Sequence, residues 1–189
     1  MPNELPEMTF ADQAEFAAWL ADNAETKGVW LRIAKKGTGI TSVDHDQALE
    51  ESLRHGWIDG TARRVDDQWF VQKFTPRTKR SRWSKINRAT AERLIAEGRM
   101  FPRGLREVEA AKADGRWEAA YAGPAGATVP DDLAAALAAS PQAEAFFRTL
   151  TSQNRYAILY RVEEAKRPET RARRIEKFVG MLERGETLH

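Results

Sequence analysis

The hydrophobic period of this chain changes at Pro76, and that change limits the folds open to it. Before Pro76 the apolar residues alternate. Val29, Leu31 and Ile33 interleave with Trp30 and Arg32, and a second apolar run spans Trp69 to Phe74. A period of two marks strands, and a period near 3.6 marks helices. After Pro76 only the helical period remains, as in Ile175, Phe178, Val179 and Leu182. Strands followed by a run of helices indicate an α+β protein: a small, mainly antiparallel sheet with flanking helices, then a C-terminal helical bundle.

Local signals divide the chain further. Thr9 reads as the cap of a first helix over 10–23, in which Phe16, Trp19 and Leu20 share a face. A strand follows over 29–35, with a turn at Gly37-Thr38-Gly39. Asp44 caps a helix ending near His55, with Ala48, Leu49 and Leu53 inward. Trp57 to Val65 and Gln68 to Phe74 form a hairpin around Asp66-Asp67. The returning arm is apolar on both faces, which marks a central strand or one covered by helices. Thr75-Pro76 closes it, because proline has no N–H for an inner ladder. Ser84 caps a helix over 85–97 with Gly98 at its C′ position. Pro102 opens another to Ala113, with Leu105, Val108 and Ala111 inward. The Gly/Ala/Pro-rich stretch 122–128 reads as a linker. Helices over 131–139, 141–150 and 153–165, the last capped by Ser152, precede a final one opened by Pro168. Short connections make them antiparallel neighbours. The domains expected are 1–121 and 129–189.

Charge is unevenly spread: −6 over residues 1–60, +7 over 61–120 and +1 over the remainder. Six cations fall within 77–88: Arg77, Lys79, Arg80, Arg82, Lys85 and Arg88. They lead into the helix that begins after Ser84, whose first turn offers backbone N–H groups and a positive dipole end. With Lys35-Lys36 and Trp57, Trp69 and Trp83, this makes an anion site with aromatic walls. The candidate ligand-binding residues are Lys36, Trp57, Asp59, Arg77, Trp83, Ser84 and Asn87. The partner expected is an anionic small molecule or an acidic protein. Nucleic acid, held by residues 77–88, is the alternative. Against both stands the commoner use of such residues, with tryptophans in the core and arginines reaching over them into water. Asp59 reads equally as a pocket carboxylate acting as acid or base and as a turn-forming Asp-Gly.

Several chemistries are excluded. With no cysteine there is no disulfide, thiolate or cysteine-ligated metal. His189 is terminal, and His45 and His55 fall near opposite ends of one helix, about 15 Å apart. No metal site and no cofactor is therefore expected. Gly-rich phosphate loops and a serine nucleophile elbow are missing. The segment Met1 to Phe10 has no basic residue and no apolar h-region, and no apolar run is long enough to span a bilayer. The compartment expected is the cytoplasm. The last helix carries Thr170, Arg171, Arg173, Arg174 and Lys177, a basic face or one member of interhelical ion pairs.

Two stretches resemble a known family. One is Gly56-Trp57-Ile58-Asp59-Gly60 followed by FTPRTKRSRWSKIN (74–87) and EGRM (97–100). The other is the run SPQAEAFFRTLTSQNRYAILYRVEEAKRPETRARRIEK (140–177). Together these are similar to the YdeI/OmpD-associated, or bacteriocin-protection, family over nearly the whole chain. The resemblance implies an α+β N-terminal part like small YdhG/YjbR-type domains and a C-terminal helical module. It also implies a stress role in protection against bacteriocins and antimicrobial peptides, and association with an outer-membrane porin. It supplies no mechanism and no catalytic residues; a non-enzymatic protection protein is the first reading, and a small enzyme with Asp59 as acid or base stays the last alternative.

Overall fold

The structure, a computed structural model, describes residues 5–188. His189 and residues 1–4 lie outside the described residues. The chain divides into two compact units, Met1–Tyr121 and Ala122–His189. The fold is α+β, as the change of period requires.

In the first unit a four-stranded sheet has the order β1-β2-β4-β3. Its strands are β1 (Glu7–Met8), β2 (Val29–Ala34), β3 (Trp57–Arg64) and β4 (Trp69–Pro76). β1 joins β2 in parallel, and the other pairings are antiparallel. β4 is central, which accounts for its apolar residues. Helices α1 (Gln13–Asp22) and α2 (His45–Arg54) cover one face. There Phe16, Leu20 and Ala48 pack with Val29, Leu31, Ile33, Trp57 and Phe74. A second cluster joins α3 (Lys85–Ala96) and α4 (Pro102–Ala113) to the residues that follow, around Trp83, Leu94, Val108 and Trp117.

The caps locate the helix starts. Asp44 accepts the Gln47 N–H at 2.8 Å while the Gln47 side chain accepts the Asp44 N–H, closing a capping box. α1 starts later than expected. Asp12, not Thr9, accepts the Glu15 N–H, because the Phe10 carbonyl is tied to the Val43 N–H and holds the chain extended. Leu105 is another correction: it is 38% exposed. Gly104 faces inward in its place, since a Cβ there would stand 2.4 Å from the Arg54 carbonyl oxygen. α4 thus abuts the end of α2 through Gly104, Val108 and Ala111, and Leu105 turns outward.

The second unit holds a 3₁₀ turn at Pro124–Gly126 and helices α5 (Asp131–Ala138), α6 (Pro141–Thr149), α7 (Ser152–Glu164) and α8 (Pro168–Glu183). Leu133, Leu137, Phe147, Ile158, Phe178 and Leu182 form its interior. Thr151, one residue before the expected Ser152, caps α7 by accepting the Asn154 N–H. Arg171 of α8 grips Asp132 of α5 through two hydrogen bonds, one of them 2.8 Å long. Arg174 reaches Glu164 at 3.3 Å. The basic side chains of α8 are in this way drawn into interhelical pairs.

Candidate functional site

The site is built around Arg77, the first residue after β4. Its N–H donates to the Gly56 carbonyl at 2.9 Å, extending the ladder beyond the Trp57–Pro76 pair. This places the side chain beside the second core cluster, with its guanidinium carbon 3.5 Å from the centre of the Trp83 ring. Arg77 is 6% exposed and Trp83 is 1% exposed. Nη1 donates to the Arg82 carbonyl at 3.2 Å. Nε and Nη2 are buried with no hydrogen-bond partner among the described residues.

Burying a guanidinium is costly unless its donors are satisfied. Burial pushes the Arg77 pKa down to about 10, Asp59 and Glu107 push it back up, and Arg116 lowers it. The two carboxylates act from a distance: neither forms an ion pair with Arg77 within 4.0 Å among the described residues. Elsewhere in this unit the indole nitrogens of Trp57 and Trp83 and Nε2 of His55 are likewise buried without partners among the described residues. Burial also holds the His55 imidazole below its ordinary pKa of 6.5, partly offset by Glu51. At neutral pH it is therefore an uncharged ring, set against Phe101 at 4.4 Å. Two such donors on the one Arg77 guanidinium, stacked on an indole, suit an anion and repel a metal cation.

The structure brings some of the expected residues together and separates others. Arg77 and Trp83 touch, and Asp59 lies close enough for its charge to act on Arg77. Trp57 pairs with Pro76, next to Arg77 in the chain, and Asn87 is buried in the first turn of α3. Lys36 is elsewhere. It follows Ala34, which pairs with Trp69, at the opposite end of β4 from Pro76. Seven residues along a strand is about 23 Å. Trp69 belongs to the outer sheet face, under Arg32.

The start of α3 also departs from expectation. Ser84 Oγ is engaged by the Asn87 N–H at 3.1 Å, and the Lys85 N–H donates to the Tyr121 carbonyl at 2.8 Å. The helix start is closed by the protein itself, because Tyr121 returns to form a bridge with Ser84. Asp59 is not a plain turn residue, and among the described residues it is not a member of a direct ion pair. It lies half-buried on β3 at the edge of a β-bulge that spans Asp59 to Ala62. Glu107, Arg116 and Trp117 were missed. Glu107 and Arg116 act on the Arg77 charge from α4 and the residues after it, Trp117 meets the Trp83 ring at 4.8 Å, and no local motif distinguishes them.

An α+β unit with a buried arginine incompletely satisfied among the described residues, followed by a helical unit, is the class of protein that emerges. Residues 8–107, more than half of the chain, match the model of the family described as Domain of unknown function (DUF8412), and the chain belongs to that family. Residues 126–185 match the family described as Bacteriocin-protection, YdeI or OmpD-Associated. The resemblance expected along nearly the whole chain is therefore divided between two families. No curated protein and no solved structure matches the chain. Among the described residues no helix is long and apolar enough to cross a membrane.

Proposed function

We infer that this protein is a non-enzymatic protection protein that binds an anionic ligand, or an acidic partner group, at Arg77 and Trp83. The observation that carries the reading is the free edge of the Arg77 guanidinium. Its Nε and Nη2 donors are buried and, among the described residues, unpartnered, and its guanidinium is set against an indole. A guanidinium fork of this kind matches a carboxylate or phosphate oxygen pair. The match of the C-terminal unit to the bacteriocin-protection family supports the protective role.

The turn over 78–81 follows Arg77 directly in the chain, and in this reading the ligand enters by opening it. That turn is held by the Thr78 N–H on Ser81 Oγ at 3.0 Å and by Arg116 on the Ser81 carbonyl at 2.9 Å. The first of these bonds is exposed and the second half-buried, so opening the turn breaks few contacts.

The test is a thermal-shift screen of the whole chain with phosphate, nucleotides, small carboxylates and cell-wall fragments, repeated on Arg77→Met. A ligand at a hundred times its Kd stabilises by about 2.7 kcal/mol. The expected result is a shift of several degrees for one anion class that disappears in the variant. A shift of equal size in both proteins, or none with any anion, defeats the reading.

A further inference from the structure

The sheet has a second face, away from α1 and α2. The ladder register sets its residues: Trp30 opposite Lys73, Arg32 opposite Val71, Ala34 opposite Trp69, and Arg63 also opposite Val71. Two indoles, Trp30 and Trp69, stand on it half-buried. Each lies under a guanidinium. Arg63 is 4.1 Å from the Trp30 ring centre and Arg32 is 5.0 Å from that of Trp69.

The charges on this face are not balanced. Arg32 is shared between Glu7 at 3.6 Å and Asp66 at 3.9 Å. Among the described residues, no carboxylate lies within 4.0 Å of Arg63 or Lys73. The face therefore carries net positive charge on a floor of planar groups. Its indoles lie four residues apart along the ladder, about 13 Å.

A core does not need this arrangement, since tryptophan on an open sheet face leaves apolar surface in water. It suits a polyanion whose repeating units are themselves flat. Bases stack on indole and on guanidinium planes, while phosphates meet the cations between them. A duplex would hide those base faces. We propose that the outer sheet face, through Trp30, Trp69, Arg32, Arg63 and Lys73, binds single-stranded nucleic acid without sequence preference. This site is separate from Arg77, and from the 77–88 segment that sequence alone suggested for nucleic acid.

The experiment is fluorescence anisotropy of the whole chain with a labelled oligo(dT) of about 15 nucleotides. Binding is expected at low salt and weakens as salt rises, with a slope of about −0.7 per phosphate contacted. Trp30→Ala should weaken it by about tenfold or more. Arg63→Gln with Lys73→Gln changes only side chains at the solvent face, so it keeps the test valid if the tryptophan variant does not fold. That pair should flatten the salt slope by about 1.4. Lys79→Gln with Arg80→Gln, on the 77–88 segment, should leave binding unchanged. The proposal is overturned by absence of binding at low salt. It is overturned equally if the loss follows Lys79 and Arg80 instead of Arg63 and Lys73, or if anionic phospholipid vesicles compete the oligonucleotide away.

Discussion

The two units bury different things. The helical unit closes over a uniformly apolar interior of leucine, isoleucine, valine, phenylalanine and methionine. Its ions are paired at the surface, as in Arg171 with Asp132 and Arg148 with Glu144. The α+β unit buries Nε and Nη2 of Arg77, Nε2 of His55, Oγ of Ser52 and the indole nitrogens of Trp57 and Trp83 without partners among the described residues. In the helical unit Arg155 Nε is the comparable atom among the described residues. Native interiors pair nearly all such groups, so a concentration of unpaired donors marks a place where stability is given up for another purpose. Core packing explains the helical unit. It does not by itself explain the α+β unit, and the ligand site proposed at Arg77 would account for the difference.

That contrast can be broken by mutation. The largest effect belongs to the helical interior. Leu182, fully buried on α8, should cost about 3–5 kcal/mol on truncation to alanine, read as a lowered denaturation midpoint. A smaller and opposite effect is expected at Arg77. Arg77→Met removes a buried charge and keeps much of its volume. The lost indole contact costs about 1–2 kcal/mol, and relief of desolvation offsets it. Chemical denaturation should place the variant at or above wild type; a loss as large as that of Leu182→Ala would make Arg77 a structural pillar and erase the contrast. The smallest effect is at Asp132, whose pair with Arg171 is partly solvated. Asp132→Ala should cost under about 1 kcal/mol, and raising the salt concentration should shrink the difference further.

Much of the fold was legible because its signals are local. Asp44, Ser84 and Ser140 cap the helices that follow them through their own side chains. Gly98 takes the left-handed conformation, at φ 68°, that ends a helix. The strand alternation of Val29, Leu31 and Ile33 held residue for residue. The site was legible only in part. Arg77 and Trp83 are six residues apart in the chain, close enough for one basic, aromatic segment to suggest both. Lys36 was placed with them by charge alone, and the strand register sends it to the far end of the sheet.

What the sequence by itself determined was therefore the kind and order of the main elements: β2, β3 and β4 interleaved with α1 and α2 before Pro76, helices after it, and the caps of several of them. These follow from backbone geometry and side-chain period, which act over a few residues. Only the tertiary structure decided which cation is buried, that Gly104 and not Leu105 meets α2, that Tyr121 closes the start of α3, and that Trp30 and Trp69 share an open face with Arg32 and Arg63. Each depends on strand register or helix approach between residues distant in the chain. Burial, and with it the strength of every charge in the site, is set there.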